Sequence, residues 1–189
     1  MYESNDVVIG LLKRIADGDE AAMQRLYEMF DRRIYAFCLN RLKDPSQAEE
    51  VVVDTLYEVW KNPMRFRGES KFSTWLIGIA RHKLLNQLRA RGPQHAEIDE
   101  EIPSDEADPS DIVAQSQRRE SVLECMEKLP TEQRECMHLV FYEGYALLEV
   151  AEIQQCPENT VKTRLFHARQ KIKNCLRLVL EKEDEYARG

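Results

Sequence analysis

The sequence of 189 residues predicts an all-α protein: two small helical domains joined by an acidic flexible linker, the second a helix-turn-helix domain. Three observations lead there. Long stretches poor in glycine and proline carry apolar residues at spacings of three and four, and none alternates in the manner of a strand. Residues 93–117 hold eight acids, no lysine or arginine and three of the seven prolines. Self-repulsion keeps such a segment extended, and it buries too little apolar surface to fold alone. Beyond it, a short helical pattern and a long basic one meet at Gln155-Cys156-Pro157, the spacing of a helix-turn-helix. The expected division is therefore a domain over 1–92, a linker over 93–117 and a second domain over 118–189.

Taken in order, a first helix runs from about Asp6 to Ala16 and is broken by Asp17-Gly18-Asp19. A second, Glu20 to Leu42, turns Leu26, Phe30, Ile34, Phe37 and Leu42 inward. Asp44-Pro45-Ser46 stops it, and Ser46-x-x-Glu49 reads as a capping box opening a third helix to about Lys61. There Ala48, Val52, Thr55, Leu56, Val59 and Trp60 form a packing stripe, while Glu50, Asp54 and Glu58 recur at i, i+4 and i+8. Like charges so spaced cost about 0.2–0.5 kcal/mol per pair. The row is an inexpensive solvated face, or a ridge that steers a basic partner.

A fourth helix packs through Trp75, Leu76, Ile79, Ala80 and Leu84. After the linker, a helix starting at Asp111 or Arg118 ends near Lys128. Leu129-Pro130-Thr131 breaks it and caps the next, which ends near Gly144. Helices over about Leu147–Gln154 and Asn159–Leu180 complete the chain.

A net charge of -7 excludes a protein that coats DNA or membranes by bulk electrostatics, so nucleic-acid binding requires local patches. Two exist. From Lys61 to Arg91 there are eight cations against the single acid Glu69. A loop with Arg65, Phe66, Arg67, Gly68, Lys71 and Phe72 leads into a helix with Trp75, Arg81, Lys83, Arg89 and Arg91. Cations that follow a backbone and aromatic faces that stack on bases are the composition of a single-strand surface. A core helix with a solvated basic face has the same apolar stripe and stays open as the alternative.

The second patch, Lys162 to Arg177, has six cations and no acid. Val161, Leu165, Ala168, Ile172, Leu176 and Val179 lie on one side of this helix. Lys162, Phe166, Arg169 and Lys173 lie on another, with Thr163 and His167 beside them. Its first turns offer Lys162, Thr163, Arg164, Phe166 and His167 to a major groove, where cations on phosphates give affinity and side chains on base edges give specificity.

Five cysteines, without a close C-x-x-C pair, indicate neither a disulfide framework nor a zinc site. Reduced, buried thiols are expected. Four of the five follow residue 117, so redox sensitivity of the C-terminal half is the alternative. With seven glycines, no phosphate-cradling loop, and His82, His95, His138 and His167 on different elements, there is no catalytic constellation. No catalytic residue, metal or cofactor is assigned. Met1-Tyr2-Glu3-Ser4-Asn5-Asp6 opens no signal sequence and no segment has spanning length, so a soluble cytoplasmic protein without membrane insertion is expected.

Together the segments resemble the sigma factors of bacterial RNA polymerase, in particular the small two-domain extracytoplasmic-function group. Ala48-Glu49-Glu50-Val51-Val52 with Asp54-Thr55 is similar to that family's acidic core-docking helix. Phe66-x-Gly68 and Phe72-Ser73-Thr74-Trp75-Leu76 with Ile79-Ala80-Arg81 resemble its promoter-melting segment. Leu129-Pro130, Glu149-Val150-Ala151 and Asn159-Thr160-Val161-Lys162-Thr163-Arg164-Leu165 with Ala168-Arg169 resemble the module that reads the minus-35 element.

The resemblance implies a promoter-specificity subunit for core RNA polymerase, touching the β′ clamp helices and the β flap. Glu49, Glu50, Asp54 and Glu58 would bind core polymerase. Arg65, Phe66, Arg67, Lys71, Phe72, Trp75, His82, Asn86 and Arg89 would bind the minus-10 element, the Arg65–Lys71 loop holding a base flipped from the non-template strand. Lys162, Thr163, Arg164, Phe166, His167 and Arg169 would bind the minus-35 element, Arg164 and Arg169 on phosphates. The linker would enter the channels of template and nascent RNA, and an anti-sigma factor would hold the chain inactive. The rival reading is a free-standing helix-turn-helix regulator, which needs neither the acidic stripe nor the aromatic basic loop.

Gln is usual in the family where Val53 stands, Asn where His82 stands, Gly where Asn159 stands and Arg where His167 stands. His167→Arg is expected to shift the minus-35 preference by about 1–3 kcal/mol at one base pair. Enrichment from a randomised minus-35 library measures it, and identical profiles for the two proteins would refute it.

Overall fold

The computed structural model describes residues 4–90 and 120–186, for 180–186 without their side chains. The linker, Arg91, His95 and the expected helix start at Asp111 or Arg118 lie outside the described residues. Those described are helical and contain no strand. The N-terminal helices form one compact unit and the C-terminal helices another.

The first unit comprises α1 (Asn5–Ala16), α2 (Glu20–Leu42), α3 (Pro45–Lys61), a 3₁₀ turn (Pro63–Arg65) and α4 (Phe72–Ala90). Ser4 caps α1 by accepting from the Asp6 amide. The helix ends in a Schellman turn: Gly18 takes φ +87°, and the Asp19 amide donates back to the Arg14 carbonyl at 3.0 Å. The Asp19 side chain then accepts from the Ala22 amide and opens α2. A hydrogen bond from Arg14 and that backbone amide hold the Asp19 carboxyl below its usual range.

Helix α2 packs on α1, α3 and α4, burying Leu26, Ile34, Phe37, Cys38 and Leu42. Helix α3 contributes Ala48, Val51, Val52, Thr55, Leu56 and Val59, and α4 contributes Phe72, Leu76, Ile77, Ala80 and Leu84. Two expectations are corrected. The cap of α3 is Asp44, whose carboxylate accepts from the Gln47 amide at 3.1 Å, and Pro45 opens the helix because its fixed φ already suits the first turn. Ser46 is already inside the helix. Trp60 does not belong to the packing stripe; it is 46% exposed.

The second unit comprises α5, described over residues 120–127, α6 (Thr131–Phe141), α7 (Leu147–Gln154) and α8 (Glu158–Tyr186). Pro130 occupies the position before α6 and makes no side-chain cap, so Thr131 is the first helical residue rather than the cap. Helix α7 closes in a second Schellman turn, with Gln155 at φ +52° and the Cys156 amide donating to the Ala151 carbonyl at 3.0 Å. Pro157 and Glu158 then start α8, which packs on α6 and runs beyond the expected Leu180.

The cysteines also differ from expectation. Cys125 on α5 and Cys175 on α8 form a disulfide with Cα atoms 5.8 Å apart. A separation of 50 residues conceals this pairing from any local spacing rule. Cys38, Cys136 and Cys156 take part in no disulfide; the first two are buried and Cys156 is partly exposed. Burial pushes the Cys38 thiol up to about 12 despite nearby Arg41, so it packs as an inert apolar group. Among the described residues no helix is long and apolar enough to cross a membrane.

The reassigned cap is testable by urea unfolding of the full chain. Asp44→Ala is expected to lower stability by about 1 kcal/mol, and Ser46→Ala by a few tenths at most. Equal losses would restore Ser46 as the cap.

Candidate nucleic-acid interface

Helix α3 buries one face and leaves the other open. Glu49, Glu50 and Asp54 are exposed on it and Glu58 is half-buried. Val53, Tyr57 and Trp60 are 57%, 59% and 46% exposed and, at i, i+4 and i+7, stand in line among those carboxylates. Met64, 61% exposed, follows in the 3₁₀ turn. Exposed apolar residues in a continuous row rimmed by charge mark an interaction surface. Sequence reading found the acids and missed the row, because an apolar position at helical spacing reads as core. The signal was present: Val53, Tyr57 and Trp60 are one register away from the buried Val52, Leu56 and Val59.

Two of the carboxylates are engaged within the unit. Glu50 accepts from the Gln87 side-chain amide on α4 at 3.1 Å, and Glu58 lies 3.1 Å from the Arg65 guanidinium. The second pair joins a residue expected to face polymerase with one expected to face DNA. Both side chains keep solvent contact, so the pair contributes about 0–1 kcal/mol and exchanges readily for a phosphate.

The loop 66–71 separates its charges from its rings. Arg65, Arg67 and Lys71 are exposed, whereas Phe66 and Phe72 are only 7% and 2% exposed. Phe66 meets Phe72 edge-on at 5.1 Å and Trp75 at 5.4 Å; Phe72 meets Phe30 at 5.0 Å and Trp75 at 5.5 Å. Edge-to-face and tilted rings at these separations attract beyond their buried area. Phe66 and Phe72 therefore differ from the expected base-stacking role: their faces are occupied by other rings, and they shape the loop from beneath. Gly68 takes φ +77°, and a Cβ there would sit 3.6 Å from the Ile9 Cδ1 on α1. The backbone requires glycine more than the space does.

From this cluster α4 carries one continuous edge outward. Trp75 is half-buried, and His82, Asn86 and Arg89 are exposed at i+7, i+11 and i+14 from it. These offsets put all four side chains on one side of the helix, spread over about 21 Å at 1.5 Å per residue.

In the second unit α8 buries Val161, Leu165 and Ala168 and exposes Lys162, Thr163, Phe166, His167 and Arg169. Phe166 is 59% exposed, with its ring against His167 at 5.5 Å. The Thr163 hydroxyl donates to the Asn159 carbonyl, and Lys162 pairs with Glu158 at 2.8 Å. Arg169 lies over the Phe141 ring at 5.2 Å, a cation–π contact that fixes its direction. Arg164 stands apart from the exposed group: it is half-buried, one guanidinium nitrogen 3.5 Å from the Cys156 sulfur in the turn. Among the described residues no group of His, Cys, Asp and Glu is arranged to hold a metal ion.

Residues 26–93 match the family model for Sigma-70 region 2, and residues 119–172 that for Sigma-70, region 4. The chain is 30% identical over 174 residues to the ECF RNA polymerase sigma factor SigK of Mycobacterium tuberculosis, covering 88% of this chain and 91% of that protein. It is 28% identical over 181 residues to the RNA polymerase sigma-H factor of Pseudomonas aeruginosa, covering 90% and 94%. Among solved structures it is similar in fold to the sigma factor RpoE of Bartonella quintana, in complex with the anti-sigma factor NepR. That match has a TM-score of 0.64 at 21% identity and covers 82% of this chain and 96% of the other.

The division between buried and exposed aromatics predicts losses of stability of very different size. Phe72→Ala is expected to cost about 3–5 kcal/mol, and Phe166→Ala no more than about 0.5 kcal/mol. Denaturant unfolding of both variants measures this, and a stable Phe72→Ala protein would show that the ring is dispensable to the loop's foundation.

Proposed function

Because this chain belongs to the extracytoplasmic-function group of RNA polymerase sigma factors, we propose that it divides promoter recognition between residues 1–92 and 118–189, with 93–117 as the acidic tether. The first domain docks core polymerase and captures the melted minus-10 strand; the second reads the minus-35 duplex. The observation that carries this reading is the loop before α4, where Arg65, Arg67 and Lys71 face solvent while Phe66, Phe72 and Trp75 brace the backbone from within. A surface that only needed solubility has no use for such bracing.

The roles follow from chemistry. Glu49, Glu50, Asp54 and Glu58, with Val53, Tyr57 and Trp60 between them, form a ridge suited to the β′ clamp helices: charge steers the encounter and apolar contact holds it. Arg65, Arg67 and Lys71 offset the phosphate repulsion around an extruded base, while Trp75, His82, Asn86 and Arg89 track the strand along α4. On α8, Lys162, Thr163, Phe166 and His167 meet base edges, and Arg169, held over Phe141, meets a phosphate. Arg164, on α8 with its guanidinium beside Cys156, meets a phosphate from there. The chain's part in transcription is binding and strand separation, without catalytic chemistry of its own. An anti-sigma partner, such as the one bound to the Bartonella quintana RpoE, is proposed to occlude these surfaces.

Reconstitution with sigma-free bacterial core polymerase and a pooled genomic promoter library tests the reading. The wild-type chain is expected to co-elute with core and give specific transcripts that require an open complex. Asp54→Arg is expected to weaken core binding at least tenfold, and Trp75→Ala to preserve core binding while lowering open-complex formation about tenfold, each the effect of losing about 1.4 kcal/mol. Binding to duplex DNA without binding to core would instead support a free-standing helix-turn-helix regulator.

A further inference from the structure

Helix α1 carries none of the residues assigned above, yet its first residue reaches the loop that does. The side-chain amide of Asn5 makes two hydrogen bonds to backbone far along the chain. Its Nδ2 donates to the Ser70 carbonyl at 2.8 Å, and its Oδ1 accepts from the Phe72 amide at 3.1 Å. A carbonyl can only accept and an amide N–H can only donate, so the two partners together force the orientation of the Asn5 side chain. Both bonds are partly buried and span 65 and 67 residues.

These bonds do different work. The Phe72 amide opens α4, and the first donors of a helix have no partner within it, so Oδ1 caps α4 from another element. The Nδ2 bond holds residue 70 and thereby the exposed end of the loop. One amide thus fixes the backbone on both sides of Lys71, whose side chain is exposed. One turn further along α1, Ile9 lies beneath Gly68. The aromatic cluster supports the loop near Phe66 and Phe72, and α1 supports the segment between them.

We propose that Asn5 is a positioning residue that holds the 66–71 loop in the shape that receives an unpaired promoter base, through its paired hydrogen bonds to Ser70 and Phe72. The proposal rests on the reading of this loop as the base-capture element. Asn5 touches no DNA in this role. Without it Arg67 and Lys71 keep their charge, and so keep affinity for any single strand, while the geometry that distinguishes one base from another is lost.

Asparagine and aspartate separate the two bonds. Asn5→Asp retains an acceptor for the Phe72 amide, at a helix start that favours a negative charge, but has no donor for Ser70. Asn5→Ala loses both. The test uses holoenzyme reconstituted with core polymerase, on a promoter recovered from the pooled library. The probes are single-stranded oligonucleotides bearing each of the four bases at each position of the melted segment. Asn5→Asp, which keeps the cap, is expected to melt above Asn5→Ala, and to lose base discrimination about tenfold, the scale of one lost hydrogen bond. Asn5→Ala is expected to lose both, with core affinity unchanged in either variant.

Full discrimination by a stable Asn5→Asp protein overturns the proposal and leaves the loop reading intact. If wild-type holoenzyme binds all four bases equally at every position, the loop reading itself fails and the proposal with it. That failure appears in the wild type and is thus distinct from the first.

Discussion

Contact among four rings, Phe30, Phe66, Phe72 and Trp75, is the interaction on which the shape of the first unit's basic loop depends. Neighbouring centroids lie 5.0–5.5 Å apart, which fastens α2, the loop and the start of α4 to one another. A short loop bearing Arg65, Arg67 and Lys71 cannot hold its own shape, since like charges repel and a glycine at φ +77° adds freedom. Packing its aromatic residues inward supplies the shape, and the cations are left outward by exclusion. The chain thus uses apolar burial to organise a polar surface, and the Asn5 amide completes the task where no ring reaches.

The second unit solves a related problem with fewer rings. In the proposed role, helix α8 keeps one face open for a duplex and must still be anchored. Val161, Leu165 and Ala168 anchor its first turns, and the disulfide between Cys125 and Cys175 ties its later turns to α5. In between, the Schellman turn at Gln155 fixes the direction in which α8 leaves α7. A recognition helix is useful only if its exposed side chains have a defined origin, and these three constraints supply one.

Most of this was legible in the sequence because helical periodicity reports burial directly. Helix limits from Glu20 to Leu42 and from Leu147 to Gln154 coincide with the observed elements, as does the division of α8 between Val161, Leu165 and Ala168 on one side and Lys162, Phe166 and His167 on the other. Residues misjudged were those whose fate depends on distant neighbours. Phe66 and Phe72 sit beside arginines and so resemble stacking platforms, but Phe30 and Trp75 take their faces. Trp60 fits a packing stripe by spacing, but no helix of the unit covers it. Cys125 and Cys175 show no local pattern, and Asn5 falls just before the expected start of the first helix, where nothing local points to partners 65 and 67 residues away. Ser46 was misjudged for a local reason: Pro45 can open a helix, which moves the cap back to Asp44.

Charge placement bears on how such a chain uses DNA. Each cationic surface is partly neutralised by its own chain, Arg65 by Glu58 and Lys162 by Glu158. These pairs are exposed enough to contribute about 0–1 kcal/mol apiece, so a phosphate displaces the carboxylate at little cost. The free chain, at a net charge of -7, still has weak attraction for duplex DNA in general. On the proposed reading, two modest sites on one chain gain from each other, because engagement of one raises the effective concentration of the second. On that reading discrimination comes from requiring both elements at once, and loss of either site costs more than its own affinity. Residues that only shape a site, as the buried rings and Asn5 do, therefore bear on specificity even though they add no charge to it.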